Sequence, residues 1–146
     1  MIKTFSEELY ILGCNTHTTA IVDGKFPASG SFIDVTDFER FAFVVDAGSL
    51  DSALTLQVEE ATAVDGSPTD ITSATATVGT GDDGETFIIE VETRKMTLTG
   101  KRYITLDVTG AAGGNDYLSI MFYGINPGTV PVTQPTGTNT PVIVAG

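Results

Sequence analysis

Four stretches of the chain alternate apolar and polar residues with a period of two, and that pattern confines them to β-strands. In SALTLQVEE, Leu54, Leu56 and Val58 face one way and Thr55, Gln57 and Glu59 the other. ETFIIEVET sets Phe87, Ile89 and Val91 against Ile88, Glu90 and Glu92. KRYITLDVTG sets Ile104, Leu106 and Val108 against Tyr103, Thr105 and Asp107. DYLSIMFYG sets Leu118, Ile120 and Phe122 against Tyr117, Ser119, Met121 and Tyr123. A helix, repeating every ~3.6 residues, would scatter each set around its circumference. Strands with one buried and one wetter face are the habit of antiparallel sheets.

Three further segments read as strands with a less regular pattern. FERFAFVVDAG has Phe41, Phe43 and Val45 on one side and Ala42 and Val44 on the other, which predicts burial on both faces. SGSFIDVTD is short, with Phe32 and Asp34 opposed to Ile33 and Val35. ITSATATVG offers only the small Ala74 and Ala76 against Ser73, Thr75 and Thr77, the pattern of a weak or edge strand. Between these segments lie the turn clusters DAGSLD, DGSPTD, GTGDDGE, TGK and GAAGGND, in which Gly, Pro, Asp and Asn each favour a reversal. Sustained helical periodicity is lacking, and its best candidate, SEELYIL, is short. The fold class is therefore all-β, an antiparallel β-sandwich. Alternation does not record strand order, so a jelly roll and other sandwich topologies both stay open.

The domain boundaries follow the same pattern. Residues 30–124 form the sandwich core. Residues 1–29 lack a settled period and read as an N-terminal arm, carrying Phe5, Leu9, Tyr10, Ile11 and Leu12. Residues 125–146 read as an extended C-terminal tail, ending PVTQPTGTNTPVIVAG. Pro131, Pro135 and Pro141 obstruct a central strand there, and Val142, Ile143 and Val144 form a short β-prone run. Such arms suit docking on other protein chains, because an extended segment adds main-chain hydrogen bonds to a neighbour's exposed sheet edge. Proline limits the entropy lost on docking.

Charge narrows the partners. The chain carries 7 basic and 19 acidic side chains, a net charge of −12. An acidic surface repels phosphate, which argues against nucleic acid and against anionic membranes. No apolar run approaches the ~20 residues that span a bilayer. The opening MIKTFSEELYILGC has no long apolar stretch and does not read as a secretory signal. The single cysteine, Cys14, excludes an intrachain disulfide, so the fold relies on its apolar core.

Catalytic and metal constellations are poorly supported. Cys14 and the single histidine, His17, are too few for a structural zinc site and lie in a bland Thr-rich stretch. Glu59 and Glu60 are strand neighbours and so point to opposite faces. The carboxylates of GTGDDGET are crowded into four residues, unlike the alternating ligands of a calcium loop, and a plain hairpin turn is expected. GAAGGND leads into a strand and not a helix, so a hairpin connection is expected and not a phosphate cradle. Tyr103, Tyr117 and Tyr123 raise one alternative, an aromatic platform for a carbohydrate. Neither a catalytic residue, a metal site nor a cofactor is expected.

Several stretches resemble a known family. SEELYILGCNTHTTAIVDGKF, with its turn at Ile21, Val22, Asp23 and Gly24, resembles the opening of small proteins encoded beside the major capsid protein in tailed bacteriophages. FERFAFVVDAGSLDSALTLQVEEATAVDGSPTDITSA is similar to their strand–turn–strand core, and GKRYITLDVTG, from Gly100 to Gly110, resembles a further strand of theirs. The resemblance covers residues 5–123. It implies a capsid decoration, or cement, protein: a β-sandwich, often a jelly roll, on the outer surface of the virion, made in the host cytoplasm. Its expected partners are the major capsid protein and other copies of itself, as trimers or dimers. The alternative is a carbohydrate-binding module of a phage tail or surface appendage; a hydrolase is the least supported class.

Overall fold

The computed structural model describes residues 9–15, 19–97, 102–112 and 114–128. Nine strands occur among them: β1 (Leu9–Asn15), β2 (Gly24–Phe26), β3 (Ile33–Asp34), β4 (Phe38–Ala47), β5 (Leu54–Ala61), β6 (Thr69–Val78), β7 (Thr86–Glu92), β8 (Tyr103–Thr109) and β9 (Leu118–Pro127). A single 3-10 turn, Thr93–Lys95, follows β7. The strands form two antiparallel sheets packed face to face. One runs β1-β9-β4-β7 and the other β2-β8-β5-β6. β2 lies along Leu106–Val108 and β3 along Tyr103–Ile104, so the two short strands share one strand's place beside β8. β5 and β6 are the only consecutive strands that pair among these. Apart from the β2–β3 and β5–β6 connections, every connection crosses from one sheet to the other.

The inward sets predicted from alternation fill the space between the sheets. Leu54, Leu56 and Val58 of β5, Ile104, Leu106 and Val108 of β8, Phe41, Phe43 and Val45 of β4, and Leu118, Ile120 and Phe122 of β9 are all buried. Removing these side chains from water, at about 25 cal/mol per Å² of apolar surface, drives the two sheets together. Phe43 is the aromatic centre. Its ring meets Phe41 edge-on at 6.2 Å and Phe122 edge-on at 5.1 Å. Edge-to-face contacts of this kind let the positive ring edge approach the negative face.

The N-terminal boundary differs from the expectation. Residues 9–15 of the expected arm are the edge strand β1, paired with β9 from Leu9↔Ile125 to Asn15↔Ile120. Tyr10 and Leu12 point inward and join the core, and Ile21 is buried as well. The period was hidden for two reasons. Leu9 and Ile11 are also apolar, on the outer face. A bulge between Ile11 and Gly13 then breaks the alternation. At the other boundary β9 runs to Pro127, three residues past the expected limit of the core. Gly128 N donates to Asp37 O at 2.7 Å and fixes the point where the chain leaves the sheet.

Two other strands depart from their patterns. β3 is only two residues long, and Asp34 turns away to accept bonds from Thr36 N (3.0 Å) and Thr36 Oγ1 (2.6 Å). Phe32 and Val35 are both buried, so alternation fails across this turn. β6 is an edge strand as expected, but it spans ten residues and carries an irregularity: Gln57 faces Thr75 while Glu59 faces Asp70. The extra β6 residues, with Ser73 at φ 67°, leave carbonyls out of the ladder. The Gln57 amide fills the gap, donating to Ile71 O at 3.1 Å and Ala74 O at 3.3 Å.

Gly124 shows how tightly one corner is built. It pairs with Tyr10 and Phe41, and a Cβ there would overlap the ring of Phe38. That ring is buried and tilted against Tyr10 at 5.9 Å, so it has little room to yield. Gly124→Ala is expected to destabilise the fold by about 1–3 kcal/mol, the usual cost of overpacking. A urea titration measures it as a lower midpoint with an unchanged slope.

Candidate interaction surface

The polar groups that raised chemical questions serve the fold. Glu59 and Glu60 part to opposite faces. Glu59 accepts from Lys25 Nζ at 2.5 Å on the outside of the β2-β8-β5-β6 sheet, and Lys25 also donates to Asp107 at 3.2 Å. Partial burial alone would lower the Lys25 pKa, but the bonds to the two carboxylates outweigh it and hold the ammonium above its usual range. Glu60 is fully buried and accepts from Thr97 N (2.9 Å) and Thr97 Oγ1 (2.5 Å).

At one end of the sandwich, carboxylates tie the crossovers together. The GTGDDGE segment is not a hairpin within a sheet; it carries the chain from β6 in one sheet to β7 in the other. Asp82 accepts from Gly79 N at 2.6 Å and Asp83 from Leu50 N at 3.1 Å. GAAGGND is likewise a crossover, from β8 to β9. Its Asp116 is fully buried and accepts from Asp51 N (2.9 Å), Ser52 N (2.8 Å) and Ala112 N (3.2 Å). Burial would raise the Asp116 pKa, yet these bonds together hold it below the usual 3.8. Gly110 opens the same loop at φ 99°, against the carbonyl of Ala53. Groups of three or more His, Cys, Asp or Glu placed to hold a metal do not occur among the described residues. Cys14 lies in β1, and His17 falls outside the described residues.

The three tyrosines do not assemble into a platform. Tyr103 follows the outward face of β8, Tyr123 the outward face of β9 in the opposite sheet, and Tyr117 sits in the crossover, where its N–H donates to Ser49 O at 3.0 Å. The sandwich core separates Tyr103 from Tyr123. An open groove of about 610 Å³ is lined by Glu39, Arg40, Glu92, Arg94, Arg102 and Asn126. Its cations are engaged: Arg40 with Glu90 at 2.7 Å, Arg94 with Glu92 at 2.6 Å, and Arg102 Nη1 with Thr93 O at 3.1 Å.

What remains is the outer face of the β1-β9-β4-β7 sheet, and it is unlike its counterpart. The other sheet turns Lys25, Gln57, Glu59 and Asp107 outward. This one aligns apolar side chains across all four strands. One row runs Ile11, Tyr123 and Ala42 before reaching Glu90; the next runs Met121, Val44 and Ile88. Ile88 is 66% exposed and Ile11 37%, two of the four large hydrophobics exposed among the described residues. The prediction that β4 is buried on both faces fits this arrangement only halfway: Ala42 is buried, but Val44 is half-exposed because no third layer covers the sheet among the described residues. A contiguous apolar patch rimmed by polar residues is the mark of an interaction site.

Of the residues expected to bind partners, Leu9 and Ile11 lie on this outer face, whereas Tyr10 and Leu12 are core and unavailable as docking side chains. Phe5, Pro131, Pro135, Pro141, Val142, Ile143 and Val144 lie outside the described residues. The alternation pattern sets Ile88 and Met121 among the wetter positions, Val44 on a second buried face of β4 and Tyr123 on a carbohydrate platform, so it does not join the four into one surface. The signal was present: the outward sets of β4 and β9 are themselves largely apolar. No family model, curated protein or solved structure matches the chain.

Proposed function

We propose that this is a virion structural protein that binds the outside of an icosahedral phage head and stabilises the lattice of the major capsid protein. The observation that carries the reading is a pairing of opposites. An acidic β-body has its buried carboxylates, Glu59, Glu60 and Asp116, bonded within its own fold, and it bears one apolar sheet face and a charge-free tail of residues 129–146. Such a molecule suits holding protein surfaces together. The resemblance in residues 5–123 points the same way. We read the strand order as a jelly roll, with β2 and β3 sharing one position. Negative charge suits an outer site away from packaged DNA and keeps a concentrated product soluble before assembly. Binding only the assembled lattice shifts its equilibrium away from the disrupted shell by mass action, and many copies let each contact be modest. Self-association as dimers or trimers belongs to the same proposal, and no catalytic step is assigned.

The test mixes purified protein with heads that lack it and measures occupancy and the temperature of DNA release. A chain ending at Gly128 keeps every described strand, so it is expected to melt within a few degrees of the full chain. Its attachment to heads is expected to weaken at least ~10-fold, as when one of two linked contacts is removed. Unchanged decoration by the shortened chain would remove the tail from the mechanism. Failure of the full chain to bind heads would remove the function.

A further inference from the structure

We propose that the arginine-lined groove at one end of the sandwich is the docking site for a carboxylate side chain of a partner protein, whose apolar part covers the adjoining outer face of the β1-β9-β4-β7 sheet. The proposal rests on the reading above only in taking that face as a contact with protein. The chain has three arginines, and all of them line this one groove. They come from separate elements: Arg40 from the start of β4, Arg94 from the 3-10 turn and Arg102 from just before β8. Of the other described cations, Lys95 follows Arg94, and Lys25 stands on the opposite sheet between Glu59 and Asp107. In a molecule of net charge −12, three cations here share a wall with two carboxylates, Glu39 and Glu92.

The arginines are placed by the fold and retain donors for a ligand. Arg102 is pinned on three sides: Nη1 donates to Thr93 O at 3.1 Å, its backbone N donates to Thr36 Oγ1 at 2.9 Å, and its carbonyl accepts Val35 N at 2.9 Å. Arg94 bonds Glu92 through Nε and Arg40 bonds Glu90 through Nη1, so each bond uses one nitrogen of a fork that carries five N–H donors. Planar forks of this kind match a carboxylate in two parallel bonds. The lining narrows the ligand further. It holds no large apolar side chain and no aromatic ring, so nothing there buries a hydrophobe or stacks on a sugar. Glu39, Glu92 and the surrounding negative charge repel a polyanion, whereas a single carboxylate brings only one charge to three guanidiniums. The apolar half of the partner follows from continuity. Arg40, Ala42 and Val44 alternate along β4 and share its outward face. Arg40 therefore ends the apolar surface, and the Glu90 that it bonds closes the row of Ile11, Tyr123 and Ala42. An apolar centre joined to arginine is the usual composition of a protein–protein contact.

Titration of the full chain with a blocked pentapeptide carrying two glutamates, followed by NMR at the arginine Nε–Hε groups, tests this. All three arginine signals are expected to shift together and to saturate at roughly millimolar peptide. The same peptide with glutamine in place of glutamate is expected to bind at least ~10-fold more weakly, the loss that goes with charge-assisted hydrogen bonds. Arg94→Gln is expected to lose a similar factor. Arg94 is 79% exposed and bonds its neighbour Glu92, so this variant is expected to melt with wild type, and loss of folding does not explain its effect. A version of the peptide with leucines flanking the glutamates is expected to bind more tightly and to shift the methyl signals of Val44 and Ile88 as well. Four outcomes overturn the proposal: no saturable shift, equal binding by the glutamine peptide, leucine-peptide shifts confined to the arginines, and inorganic phosphate, glucuronate or a thymidine oligonucleotide moving the same signals at lower concentration than the glutamate peptide. Head occupancy is scored separately. Heads decorated by a chain whose arginines ignore the peptide remove the groove and leave the function; bare heads with a peptide-binding groove do the reverse.

Discussion

Asp116→Ala is expected to destabilise the protein by roughly 3–4 kcal/mol, because it strips the acceptor from three backbone donors at once. Asp51 N, Ser52 N and Ala112 N all point at this one carboxylate, and Asp116 is fully buried. The residue joins the β4–β5 and β8–β9 crossovers, and its backbone carbonyl also takes Ile21 N at 2.6 Å. In a domain of this size the loss corresponds to a melting temperature lower by about 10 °C. Asp116→Asn retains one acceptor oxygen for the Asp51 and Ser52 amides and places an NH₂ toward Ala112 N, so it is expected to fall between wild type and Ala. The charge adds a pH signature. The folded-state pKa is depressed below 3.8, so near that pH the unfolded chain binds the proton more readily than the folded one. The contribution is fully present above the unfolded pKa and is lost as pH falls through the folded pKa. Urea titrations in a pH series are expected to show wild type and Asp116→Asn converging below about pH 4, near the ordinary carboxylate pKa. A constant gap across that range would mean that the carboxylate is not held by these bonds.

Phe43→Ala is expected to cost about 3–5 kcal/mol, as for other buried aromatics reduced to a methyl group. Phe43 is fully buried and its ring is edge-on to both Phe41 and Phe122, which come from β4 itself and from β9. Neighbours anchored in a sheet cannot collapse far into the void, so transfer energy and cavity both count. The control is Ile88→Ala, which removes three carbons, half as many as Phe43→Ala, on the opposite side of the same sheet. In the free protein it is expected to stay within about 0.5 kcal/mol, since Ile88 is 66% exposed. Urea midpoints of the two variants measure the difference. Comparable destabilisation by both would mean that the outer face is already covered in the isolated protein.

The local pattern alone placed most strands. Alternation in β5, β7, β8 and β9 named which side chains turn inward, because a strand's pleat repeats within a few residues and needs no partner to define it. Turn chemistry likewise located GTGDDGE and GAAGGND as reversals. The sequence also determined the charge-free tail, which is a matter of residue type alone. Only the tertiary structure decided which strands pair. Sheet membership depends on contacts between residues far apart in the chain, so two reversals that read as hairpins are crossovers between sheets. The same non-local pairing turned Leu9–Asn15 from an arm into an edge strand, and the bulge there erased the one pattern that would have announced it. It also divided the outward positions into a polar face around Lys25 and an apolar face around Ile88. Alternation states that a residue points away from its own core, and only the arrangement of neighbouring strands states what it points toward.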